Sequence, residues 1–391
     1  PSRRGHARGR GLIVPAMRAH PDCPIFRPDA RQVRPIPATD LAAALPRPHL
    51  VIVIDTEEEF DWGQPLSRSN RSARNLLCQE PAQRVFDAHG ATATYVIDHA
   101  VTEDSAAARV MRSYSESGRA VVGAHLHPWL AEPTEETLTP ATSYAGNLPE
   151  RLERAKIADL TRAVTHAVGR RPEIYKAGRY GFGPATAGIL AGLGYTVDTS
   201  MVAQSRFTGD GGPDYTAITP GAHWLADQPG LLELPTTAGF AGVARRAGPR
   251  LFDRMDGTWG RKLKLPGVLA RGRVLERIRL TPEGTTLTEM RRLTDALLDD
   301  GCRVFCLAYH SSSLLPGGSP YARTQLEVDE LVARLDGYCR YFLGALGGVA
   351  VSPLALRERL LAARGGRVAD GGGNAGDLGV GHRRVARTEV G

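Results

Sequence analysis

Apolar positions along the chain switch between two periods, and the switching predicts the architecture. Runs with strand character occur at His49–Asp55, Ala91–Ile97, Ala120–His125, Ile174–Ala177, Tyr195–Asp198, Leu231–Pro235 and Arg303–His310. Between them lie segments whose apolar residues recur three and four apart, the spacing of an amphipathic helix. These are Pro81–His89, Ala106–Gly118, Pro149–Val168, Thr186–Leu193, Thr288–Asp300 and Leu326–Leu346. Gly90, Gly118, Gly169, Gly194 and Gly301 stand where such helices need a residue free to terminate them. Repeated strand, helix, strand predicts an α/β fold with a parallel sheet. Residues 1–46 are rich in Arg and Pro without any period and predict an irregular extension. The Gly-rich stretch 363–391 predicts a disordered tail, leaving 47–362 as the folded domain.

Polar residues cluster where these strands end. Asp55, His125, His127, Asp198 and His310 close their strands, and Arg179 follows the fourth, so five strands deliver six ionisable groups at one edge. In α/β sheets and barrels that C-terminal edge is where sites are built. His125 and His127 lie one residue apart, so an extended chain points both imidazoles the same way. The first strand runs into Asp55-Thr-Glu57-Glu58-Glu59-Phe-Asp61, a crowd of carboxylates that a cation would relieve. Glu57 shares the face of Asp55 if the strand continues. With the two histidines it would complete a carboxylate-plus-two-imidazole set for a divalent transition metal. Zinc is the first expectation, with cobalt, nickel or manganese also fitting. The aromatic residues Trp62, Trp129, Tyr180 and Phe182 sit beside these positions and are candidates to stack on a ligand face, a place in the core being the alternative.

Composition narrows the class. The 391 residues, 42% of them hydrophobic, suffice for one large α/β domain. Five cysteines form no C-x-x-C pair and imply no disulfide framework, which favours a reducing, cytoplasmic setting. No apolar stretch approaches the roughly 20 residues of a membrane span, and Gly11–Pro15 is too short for a signal-peptide core. The net charge of +7 is uneven. Residues 240–280 hold eleven Arg and Lys against three acids, within a basic insert of about 240–285. Such an insert suits an anionic or lipid-linked substrate as well as a solvated face. No recognition motif accompanies the charge, which argues against nucleic acid.

Taken in order, five strand-end motifs resemble the polysaccharide deacetylase family, the NodB-homology domain of carbohydrate esterase family four, in its branch beginning D-x-E-E-x-F. The resemblance spans roughly residues 48–355. It implies a distorted (β/α)7 barrel and metal-dependent removal of N-acetyl groups from a sugar or polysaccharide. By position it implies Asp55 as general base, Arg179 steadying that base, His310 as general acid and Asp198 tuning the acid. Two departures stand out. Thr56 holds the place of the family's ligand aspartate, so Glu57 or Glu58 must substitute. Gly123 holds the place of its first ligand histidine, so His125 must take over. Two rival readings stay open on this evidence: hydrolysis of a non-sugar C–N bond, and a metal-free, non-catalytic glycan-binding protein.

Overall fold

The computed structural model describes residues 25–255 and 272–371. Its strands are β1 (Val33–Pro35), β2 (His49–Thr56), β3 (Ala93–Ile97), β4 (Ala120–Leu126), β5 (Ile174–Ala177), β6 (Val197–Asp198) and β7 (Ser205–Arg206). They continue with β8 (Asp214–Tyr215), β9 (His223–Leu225), β10 (Leu232–Glu233), β11 (Ala238–Ala241), β12 (Glu276–Arg279), β13 (Val304–His310) and β14 (Val349–Ala350). The large sheet has the order β1-β9-β10-β6-β5-β4-β3-β2-β13. From β10 to β13 every neighbour is parallel, giving seven parallel strands that coincide with the seven apolar runs. The ladder does not close on itself, but Thr237, just beyond β10, exchanges two hydrogen bonds with Cys306 of β13 across the gap. The α/β class and the curled, distorted-barrel form follow from this topology.

Strand alternation sorts the sheet residues into two cores. Leu50, Ile52, Ile54, Tyr95, Ala124, Phe305 and Leu307 pack outward with residues of the surrounding helices, such as Met111, Leu160 and Leu331. Val51, Val53, Val96, Ile174, Val197, Leu232, Val304 and Cys306 face inward and pack together. The inner core is closed at the N-terminal ends of the strands by Leu41, Leu45, Leu356 and Leu360. A period of two therefore carries the inward face from Val51 and Val53 to Asp55, and from Ile174 to Lys176.

Two expected boundaries move. Residues 25–46 are not irregular throughout: β1 pairs with β9, and the helix Ala38–Ala44 buries Leu41 in the inner core. At the other end the helix Pro353–Gly371 runs through the boundary drawn at 362. The rest of the expected extension and tail, and residues 256–271 of the basic insert, lie outside the described residues. β12 lies within the described part of the insert and pairs antiparallel with β11, which leads into it. Among the described residues no helix is long and apolar enough to cross a membrane.

Candidate metal and acid–base site

The ends of β2, β4, β5 and β13 meet at the C-terminal edge of the sheet. Glu57 lies 3.3 Å from His127 Nε2 and 3.5 Å from His125 Nε2, both measured to its Oε2. All three residues are buried. His125 Nδ1 donates to the Lys176 carbonyl at 3.1 Å, and His127 Nδ1 donates to Glu58 Oε2 at 2.5 Å. Each ring thus spends Nδ1 on a fixed acceptor and turns Nε2 toward Glu57, the arrangement by which supporting groups orient metal-binding imidazoles. Glu57 Oε1 is buried without a hydrogen-bond partner. Ligands around a tetrahedral ion with bonds of about 2.0–2.1 Å stand about 3.3 Å apart, close to the separations found here. The donor set and its spacing fit one divalent ion held by Glu57, His125 and His127.

Charge explains the protonation tendencies. Burial opposes ionisation of Glu57, yet the imidazoles of His310, His125 and His127 hold its carboxyl below the ordinary range. Burial lowers His125. Burial works the same way on His127, but Glu58 and Glu57 overcome it and raise that ring well above an ordinary imidazole. Behind His127, Trp129 stacks at 4.3 Å and its indole donates to Glu58 Oε1 at 3.0 Å. Asp98, immediately after β3, accepts the backbone N–H groups of Glu58 and Val101. Burial and the neighbouring Glu58 push the Asp98 carboxyl well up. Glu58, Asp98 and His127 also gather within metal-binding distance. Hydrogen bonds already occupy them, so they support the His127 ring. Gly178 is required on the other side, since a Cβ there would stand 2.2 Å from His127 Cδ2.

Asp55 and His310 face each other in the β2–β13 ladder, with His310 Nε2 3.9 Å from Asp55 Oδ2. The other Asp55 oxygen accepts from Lys176 Nζ at 2.5 Å. Burial disfavours the Lys176 ammonium, but Asp55 more than compensates and raises it. His310 donates through Nδ1 to Glu283 Oε2 at 2.9 Å, and its backbone N–H reaches Glu283 Oε1 at 3.0 Å. Burial would discharge His310, yet Glu283 and Glu57 raise it well above the usual value.

Four expected placements need correction. Arg179 does not reach Asp55: it bonds Asp210, Ser143 and the Pro140 carbonyl and stacks on Tyr144. The backbone turns left-handed at Arg179 (φ 54°), two residues beyond the strand, and the inward place belongs to Lys176. Asp198 is not the partner of His310. It lies opposite Tyr175 and Glu233 in the ladder and accepts from Ser200, while Glu283 holds the histidine. Trp129 and Phe182 are buried at 1% and 4% exposure, one supporting Glu58 and the other packed against Phe26, so neither lines an open subsite. Trp62 and Tyr180 do flank the mouth. Trp62 meets the His310 ring edge-on at 5.0 Å, and its indole N–H has no partner. The Tyr180 ring lies 5.5 Å from Lys176 Nζ.

Lys176, Glu283 and Asp98 escaped the sequence reading, and Glu58, expected only as the alternative to Glu57 as acidic ligand, instead accepts from His127 Nδ1. Lys176 had a signal, being an ionisable residue in phase with Ile174 inside an apolar strand. Asp98 had one too, directly after the Ala91–Ile97 run. Glu283 lies in a turn far from any predicted strand end and had none.

No family model matches the sequence, and no curated protein matches it. Solved structures do. The chain is similar to a protein of Mycobacterium smegmatis assigned as a polysaccharide deacetylase, with 15% identity over 88% of this chain and 94% of that one, TM-score 0.47. It is similar to Puue allantoinase, with 14% identity over 84% and 95% of the two chains, TM-score 0.48. It is also similar to the peptidoglycan deacetylase PdaC of Bacillus subtilis, with 8% identity over 84% and 98%, TM-score 0.40.

Proposed function

We propose that the chain is a metal-dependent hydrolase that removes N-acetyl groups from an N-acetylated sugar or polysaccharide, releasing acetate and a free amine. One observation carries the reading: a buried carboxylate and two Nε2-directed imidazoles stand beside an opposed aspartate and histidine at one sheet edge. The order of the strand-end motifs, which resembles that of polysaccharide deacetylases, supports an acetamide on a sugar as substrate.

Glu57, His125 and His127 would hold the ion, which when bound acidifies water and polarises a carbonyl oxygen. Asp55, oriented by the Lys176 ammonium, accepts the proton that water loses as its oxygen bonds to the acetamide carbon. His310, held through Nδ1 by Glu283, delivers its Nε2 proton to the sugar nitrogen as the C–N bond breaks. Water's oxygen ends in acetic acid, which ionises to acetate, and the nitrogen leaves as an amine. Asp55 has gained one proton and His310 has lost one, so return of a proton from Asp55 to His310 resets the site. Trp62 packs against the His310 ring with its indole N–H buried and unpartnered, and the Tyr180 ring lies against Lys176.

The test is acetate release from N-acetylglucosamine oligosaccharides by the metal-loaded protein, with and without chelator. Release that stops with chelator and returns on adding zinc, cobalt, nickel or manganese is the expected result. Release indifferent to chelator, or none with any of these metals, overturns the reading.

A further inference from the structure

The mouth of the site carries a positive charge that the reaction leaves unused. Arg279, at the end of β12, is half-buried. Its guanidinium donates to the Tyr180 hydroxyl at 3.2 Å and lies 5.4 Å from the centre of that ring. Among the described residues it has no carboxylate partner. Lys176, by contrast, is paired with Asp55.

Its position is built. β12 pairs with β11, placing Arg279 opposite the small, buried Ala238. The chain then ties Leu280 N–H to the Thr237 carbonyl at 2.8 Å and continues to Glu283, which grips His310. One short segment therefore sets both the acid's partner and this arginine. Tyr180 is equally fixed. It sits at φ 62°, a left-handed conformation that costs any residue with a Cβ, and its carbonyl accepts from Tyr215 Oη at 2.5 Å. Its ring is held between Lys176 and Arg279. Strain retained beside a guanidinium that no carboxylate pairs with directly suits a device for recognising a planar or tetrahedral oxyanion.

We propose that Arg279 is a specificity-determining residue that binds an anionic group, a carboxylate or phosphate, on the sugar whose acetamide meets Asp55 and His310. The inference rests on the deacetylase reading for the substrate's identity as a sugar. The test is an NMR titration of the zinc-loaded protein with three probes: N-acetylglucosamine, N-acetylglucosamine 6-phosphate and N-acetylmuramic acid. At low salt at least one anionic probe should bind about tenfold tighter than the neutral sugar. That ratio should collapse in Arg279→Gln, persist in part in Arg279→Lys, and shrink as salt is raised. No preference in the unaltered protein, including no detectable binding of either anion, overturns the proposal. So does a preference surviving Arg279→Gln. Should Arg279→Gln not fold, a preference that Arg279→Lys leaves at full strength and salt leaves unchanged overturns it equally. Acetate is measured in parallel: its absence with every probe counts against deacetylation, whereas charge preference is judged on binding alone.

Discussion

Asp55 lies near the end of β2 and Glu57 directly follows the strand, yet they meet different partners, and the proposed mechanism gives them different roles. Asp55 touches an ammonium and faces His310, whereas Glu57 faces two imidazoles. Substitution should separate them. Asp55→Asn or His310→Ala removes a proton-transfer group and should lower acetate release by about 10²–10⁴-fold while bound metal is retained. Glu58→Gln touches no reacting atom, but it weakens the acceptor behind His127 and should weaken metal affinity by about 10–100-fold. Metal analysis alongside kinetics checks both, and an Asp55→Asn protein that loses its metal would contradict the division. The residues whose coming together was legible in advance are those for which period two and a strand end coincide, Asp55, Glu57, His125, His127 and His310; their roles belong to the proposal. Arg179 misled because it sits two residues past the strand, where the backbone has already turned. Glu283 was illegible because its loop is placed by long-range hydrogen bonds of Leu280 with Thr237 and Ala308, which leave no local pattern.

At the scale of elements, the helix Glu150–Val168 shows what a period does not reveal. Its apolar face, Leu152, Ile157, Leu160 and Val164, is the one the spacing predicts, but Glu153 is buried in the same face. Thr186 Oγ1 donates to Glu153 Oε1, and burial pushes this carboxyl up to about 8. In the unfolded chain the group titrates near its ordinary 4.5. Between those values the folded chain keeps a proton that the unfolded chain has lost, so stability falls as pH rises through that window. Urea midpoints at pH 5 and pH 8 should therefore drop less in Glu153→Gln than in the unaltered protein; equal drops would contradict the assignment. Long elements were legible in outline, whereas β1, β9, β11 and β12 were not. Sequences such as Val-Arg-Pro in β1 and Glu-Arg-Ile-Arg in β12 contain no apolar run, and these short strands form where a larger sheet or a partner strand receives them.

For the molecule as a whole, seven parallel strands bring to one rim the groups that sequence scatters from Asp55 to His310. The same rim gathers Asp55, Glu57, Glu58, Asp98 and Glu283, a concentration of acid that Lys176, the histidines and a bound cation would balance. The account depends on that cation. The most direct measurement is the metal content of protein reconstituted with zinc and then desalted, compared with His125→Ala and Glu57→Gln proteins shown by circular dichroism to be folded. The account predicts about one ion per chain in the unaltered protein and loss of that ion in both variants. An unaltered protein that binds none, or variants that hold it as tightly, would contradict it.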